Sequence, residues 1–282
     1  MVFKVRFPEP QSRFLREYNA SLLRHFSRLN VFIARSDEDD FFISVVHVES
    51  PQDLEKVAKY KEEGASTIAI LHTIDGIDFI HWVYEKRAVD RFIVHHRFFQ
   101  EIVSRELYDS TRAIFYPFPV ENPGFTEETG ESIVIPSDAT DAQVVKALKE
   151  RFRIIEVGEG DSLPPQSEVK AIVLPYVEED FRTIYSLYRL LPLQRPVIMS
   201  RIPVFEEFAF RELTPEVLYT SGRPDRAIAT VEKTLSRERL REYFTYVLRG
   251  YVMSYTFHRY SRLLKRIFID ITPEEYRSLY VI

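Results

Sequence analysis

The 282-residue chain has no cysteine. Disulfides, thiolate metal sites and cysteine nucleophiles are therefore excluded, and the composition suits a reducing compartment. Glycine is scarce, eight in all, and none falls in a G-x-G-x-x-G or G-x-x-x-x-G-K pattern, so two common phosphate-cradling fingerprints are missing. Only three methionines accompany abundant Arg and Glu, a balance that suits a heat-adapted source. Basic residues are not in excess: 38 Lys and Arg face 43 Asp and Glu, a net charge of -5, which gives no general attraction to nucleic acid. No apolar run approaches the roughly twenty residues that span a bilayer. The opening "MVFKVRFPEP" meets a charge and then proline too early for a secretory signal. The expected location is cytoplasmic, with peripheral membrane contact as the furthest extension.

What is present is alternation. "VFKVRF", "NVFIA", "FFISVVHV", "STIAILHT", "DRFIVHH" and "RAIFYPF" read as strands, and helical spacing lies between them in "QSRFLREYNASLLRHFSRL", "HWVYEKRAV" and "RFFQEIVSREL". "SPQDLEKVAKYKEEG" is a further helix, with Ser50 as cap, Asp53 at the capping-box position and Gly64 near its stop. The run "PFPVENPGFTEETGES", rich in Pro, Gly and acid, is the linker. A second series follows: strand "SIVIP", helix "TDAQVVKALKERF" with Thr140 as cap and Gln143 at the box position, strand "RIIEVGEGD", strand "VKAIVLPY", a helix near 182–191, strand "RPVIMS" and a proline-held turn. From Ser236 onward the chain reads as helical, closing with "TPEEYRSLY". The expected fold is α/β: two Rossmann-like doubly wound domains, residues 1–122 and 123–282, facing across a cleft, with the C-terminal helices crossing back to the first. Ligands of such sheets sit beyond the carboxyl ends of the strands.

The ordered set "TIAILHT", "YEKRAVDRFIVHHRFFQEIVSREL", "RAIFYPFPVENPGF", "RIIEVGEGD" and "VKAIVLPYVEEDFRTIYSLYRLLPLQRPVIMSRIPVFEE" resembles the retaining, nucleotide-sugar-dependent glycosyltransferases of the GT-B fold, family four. The resemblance runs through most of the chain. It implies a donor sugar between the domains with its diphosphate on the second, an acceptor that is a glycan, lipid or protein, no cofactor beyond the nucleotide-diphosphate sugar, and no metal. The leaving diphosphate needs positive charge and N–H donors, which a helix start supplies. The resemblance puts Asp180, Arg182, Thr183, Ile184, Tyr185 and Ser186 at that start, Gly158 and Gly160 where backbone passes close to the nucleotide, and His72 beside the donor sugar, with His72 and Arg182 in the catalytic roles. Bland readings stand beside these. Asp180 caps a surface helix and Arg182 is solvated; His72 is a satisfied core histidine, and His47 a poorer candidate of the same kind. His95 and His96, being consecutive on a strand, point to opposite faces and do not share a metal.

The pattern also departs from the family. Its two glutamates fall at Phe181 and Arg189, and Arg189 either meets phosphate or sits on the solvent face. "IVIPSDATDAQ" offers acids where the family has a basic pair, and "PEPQSR" replaces a glycine-rich loop. These departures favour the alternative of a non-catalytic binding or assembly protein. The tail "SRERLREYFTYVLRGYVMSYTFHRYSRLLKRIF" is locally basic. Its first reading is a set of structural helices whose aromatics face a core. Peripheral contact with anionic lipid comes next.

Overall fold

The computed structural model describes residues 3–27, 29–34, 40–72, 87–107, 112–178 and 181–272, with the side chains of residues 181 and 182 outside the description. Most of "HWVYEKRAV" and all but Thr272 of "TPEEYRSLY" lie outside the described residues. The chain forms two compact units, Met1–Pro119 together with Phe257–Ile282, and Val120–Thr256.

The first unit is built on a six-stranded sheet. Its strands are β1 (Phe3–Arg6), β2 (Val31–Ala34), β3 (Ile43–Val48), β4 (Ser66–Leu71), β5 (Arg91–Val94) and β6 (Ala113–Phe115), in the order β2-β1-β3-β4-β5-β6. Every pairing is parallel. All six residues of β3 and of β4 are buried, as parallel strands covered on both faces require. One face carries α2 (Pro51–Glu62) and α3 (Arg97–Leu107), whose Leu54, Val57, Phe99 and Val103 join the core of the sheet. The other is covered by α1 (Arg13–Phe26) and by a helix from the far end of the chain, Phe257–Ile271, where Phe268 packs on Phe3 and Phe26 with ring centroids 5.9 and 5.8 Å away. Burying one such ring contributes about 2 kcal/mol.

The second unit holds a five-stranded sheet of β7 (Ser132–Pro136), β8 (Ile154–Val157), β9 (Val169–Leu174), β10 (Val197–Ser200) and β11 (Leu218–Tyr219), in the order β11-β10-β9-β7-β8, again all parallel. Around it run α4 (Ala142–Arg151), α5 (Phe181–Leu190), α6 (Pro203–Glu212), α7 (Pro224–Ser236) and α8 (Glu238–Ser254); the helix at Phe257–Ile271 is α9. In each sheet the chain first winds one way and then reverses, between β1 and β3 in the first and between β7 and β9 in the second. Those are the topological switch points at which doubly wound sheets bind ligands.

Two local expectations need correction. The cap of α4 is Asp141, whose carboxylate accepts from the N–H of Val144 at 3.2 Å; Thr140 is already engaged, its hydroxyl accepting from the N–H of Val177 at 3.0 Å. The proline-held turn after β10 is the start of α6, with Pro203 at the first helical position, where the missing N–H costs nothing.

Arg195 secures the linker. It is fully buried, and its guanidinium donates to the carbonyls of Val169, Gln166, Thr126 and Glu128. At α2 the capping box forms as read: Asp53 Oδ2 accepts from the N–H groups of Glu49 and Ser50 and from the Ser50 hydroxyl, at 3.0–3.1 Å, while Oδ1 meets Lys56 Nζ at 2.6 Å. Asp53→Ala should therefore lower unfolding free energy by about 1 to 2 kcal/mol in urea denaturation, with Asp53→Asn recovering part of the loss.

Candidate functional site

In the second unit the strand ends at the switch point converge on a small polar network. Beyond β7 stand Ser137 and Asp138; beyond β9 stands Tyr176, buried. The Tyr176 hydroxyl lies 2.9 Å from Asp138 Oδ1 and 2.7 Å from Ser186 Oγ. Having one proton, the phenol donates it to the carboxylate and accepts from the serine. Ser186 is on α5, so this network fixes that helix against the ends of both switch-point strands. The first turn of α5 contains Arg182, Thr183 and Ile184. Thr183 and Ile184 are buried, and the Thr183 hydroxyl donates to the carbonyl of Glu178 at 3.2 Å. Asp180 lies outside the described residues. Tyr185 is buried, its ring centroid 5.8 Å from the Arg189 guanidinium carbon.

The turn after β8 adds the third side. Gly158 donates its N–H to Asp161 Oδ2 at 2.7 Å. A Cβ at 158 would stand 2.8 Å from that oxygen and 3.2 Å from Ser137 Oγ, so any side chain there would have to push two side-chain ends aside. Gly160, at φ +83°, is required for conformation. Arg189, at the last turn of α5, donates to the carbonyls of Gly158 at 2.5 Å and Asp161 at 2.6 Å. Of the residues singled out from the sequence, Gly158 and Arg189 are thus in direct contact, and Gly160 lies in the same turn. Ser186 joins the network through Tyr176, which the sequence reading missed together with Asp138 and Asp161. A tyrosine after "VLP" and acids beside glycine carry no periodic signal; the switch-point topology is what singles them out.

In the first unit, His72 follows β4 and its Nε2 lies 2.9 Å from His47 Nδ1. His95, directly after β5, has Nε2 3.2 Å from the Tyr18 hydroxyl and donates Nδ1–H to the carbonyl of Tyr116 at 2.8 Å. That donation fixes the neutral tautomer, so Nε2 accepts from Tyr18. Tyr18 lies edge-on to His47 and His72 and against Phe257 and Tyr260 of α9. His96 turns to Phe99 of α3, on the other side of the sheet. All four histidines are buried, and among the described residues no group of three His, Asp or Glu is disposed to hold a metal ion. At this unit's own switch point the loop "PEPQSR" meets a carboxylate: Glu49, after β3, accepts from the N–H groups of Gln11 and Ser12 at 2.9–3.2 Å at the start of α1.

No family model and no curated protein matches the chain. Solved structures do match its fold. Two parallel α/β Rossmann-like units of six and five strands are the architecture of GT-B glycosyltransferases, and the chain has that fold. Among the similar structures is HepE (Alr3699) of Anabaena in complex with UDP, with a TM-score of 0.67, 7% identity, and 96% of this chain and 100% of that one covered. Sucrose-phosphate synthase of Thermosynechococcus elongatus gives 0.64 at 9% identity, covering 95% and 98%. The lipopolysaccharide outer core galactosyltransferase WaaB gives 0.59 at 12%, covering 95% and 99%.

Burial holds His47 and His95 down to about 3 and His72 well below its ordinary value, with the charges of neighbouring histidines acting in the same direction. The folded state refuses protons that an unfolded chain binds near pH 6.5. The stability these neutral rings contribute is therefore complete above that pH and is lost as pH falls from about 6.5 toward about 3, by up to about 1.4 kcal/mol per pH unit for each ring. His95→Gln should reduce the slope of unfolding free energy against pH by about that amount between roughly pH 6 and pH 4, read from urea titrations at a series of pH values. An unchanged slope would mean that His95 is already protonated in the folded protein.

Proposed function

We propose that the protein is a family-four type glycosyltransferase that moves a sugar from a nucleotide-diphosphate donor to a glycan, lipid or protein acceptor, with retention of configuration. The observation that carries this reading is the convergence of Asp138, Gly158, Tyr176 and the start of α5 on the switch point of the second sheet. The fold is shared with a protein crystallised with UDP and with UDP-glucose, which makes uridine donors the first to try. In this mechanism N–H groups of the first turn of α5, around Arg182, Thr183 and Ile184, and the Arg182 guanidinium take up the negative charge that grows on the diphosphate. Asp180 is counted, by the same resemblance, with the donor-binding residues. Gly158 and Gly160 let the backbone approach the nucleotide, Ser186 and Tyr185 support the helix start, and Arg189 holds the glycine turn in place. The acceptor oxygen attacks the anomeric carbon on the face from which the diphosphate leaves. The acceptor proton passes to the departing phosphate oxygen, so no protein nucleophile and no metal take part. His72 orders the donor sugar.

A second reading, a non-catalytic binding or assembly protein, is favoured by one observation. Arg189 stands where the family carries a glutamate and is spent on the carbonyls of Gly158 and Asp161. A panel of nucleotide sugars read by thermal shift, followed by a donor-hydrolysis assay, separates the two. Stabilisation with turnover is expected, and Arg182→Ala should weaken donor binding at least about tenfold, the loss of a charged hydrogen bond. Stabilisation without turnover would favour the second reading; stabilisation by no donor would end the first.

We propose further that the protein is cytoplasmic, from a heat-adapted source, and touches membranes peripherally. Among the described residues no helix is long and apolar enough to cross a membrane. The exposed face of α9 carries Arg259, Arg262 and Arg266. Flotation with anionic vesicles should be reduced severalfold when these three are changed to Gln; equal flotation of the variant would remove the contact.

A further inference from the structure

The second unit has another cavity, of about 490 Å³, at the opposite end of its strands from the glycine turn. Lys170, second in β9, and Pro196, directly before β10, set it at the amino ends of the strands. Helix α8 supplies Arg241, Tyr246 and Arg249, and the linker supplies Phe125, over whose ring the Arg249 guanidinium sits at 4.4 Å.

Charge in this cavity is sorted by depth. Arg195, fully buried, has only carbonyl partners among the described residues, so its charge is met there by dipoles. Lys170 and Arg241 are half-buried, and among the described residues neither has an ion-pair or hydrogen-bond partner; Arg241 Nε is itself buried with nothing to donate to. The three carboxylates of the lining, Glu127, Glu238 and Glu242, are all exposed. Solvent screens the rim acids far more than the inner cations, so the floor of the cavity is electropositive. A buried donor without an acceptor costs free energy that a bound anion would recover. Tyr246 stands 77% exposed beside the mouth, an unspent aromatic face.

We propose that this cavity binds a small phosphate monoester carried on a planar ring, the phosphate meeting Lys170 and Arg241 and the ring lying against Tyr246 and Phe125. The site is separate from the α5 turn and does not depend on the transferase reading. Phenyl phosphate titrated into the full chain by calorimetry should bind saturably at one site. Arg241→Gln and Lys170→Gln should each weaken it at least about tenfold, and Tyr246→Ser severalfold, while thermal midpoints report that the variants are folded. Inorganic phosphate and cyclohexyl phosphate should bind more weakly than phenyl phosphate. Arg182→Ala should leave the titration unchanged. Lack of saturable binding, binding that survives both charge-removing variants, or binding abolished by Arg182→Ala would overturn the assignment. Equal affinity for inorganic phosphate would overturn the ring contact. Should Arg241→Gln fail to fold, Lys170→Gln carries the test.

Discussion

Strands that run parallel with helices on both faces make a polar side chain inside the sheet costly, because the backbone consumes its own donors and acceptors and both surfaces are buried. Polar chemistry is pushed to the strand ends. In this protein every cluster of consequence obeys that constraint. His47, His72 and His95 gather near the carboxyl ends of β3, β4 and β5. Asp138, Gly158 and Tyr176 gather beyond β7, β8 and β9. Lys170 and Arg195 lie at the amino ends of the second sheet.

Within the second unit the helix after β9 is more than a cover. Its inner side reaches the switch point through Ser186, and its far end reaches the turn after β8 through Arg189. One rigid element thus spans two loops of different origin. The positions of Gly158 and Tyr176 relative to the helix start are set by hydrogen bonds from the middle and the last turn of α5, the kind of support that a site gathering charge requires.

How much of this could be read in the sequence depended on the kind of signal. Strands such as "ISVVHV" and "STIAIL" were legible because two-sided burial writes an unbroken apolar run, and α2 because Ser50 and Asp53 announce its start. Helix α6 was hidden, since "PVFEEFAFRE" opens on proline and its aromatic content mimics a strand and turn. Thr140 and Asp141 are both competent caps, and only the tertiary demand of the Val177 N–H separates them. In the basic tail, Phe244, Tyr251, Phe257, Tyr260 and Phe268 are buried, as helical spacing implied, whereas Tyr243 and Tyr246 are not. Of the candidate site, the glycines and the helix were visible. The partners that bind them to each other, Asp138, Asp161 and Tyr176, were not, because contacts across a sheet edge leave no trace in local periodicity.

Glu49 gives the two halves of the molecule unlike prospects despite their like folds. Its carboxylate already occupies the amide donors of Gln11 and Ser12, in the place where such a unit would receive a phosphate. An intramolecular competitor of this kind is present at an effective concentration on the order of millimolar, so a free anion must displace it before it can settle. At the start of α1 the first lobe thus already carries an anion of its own, and the pseudo-symmetry of the two sheets is broken without any change of topology.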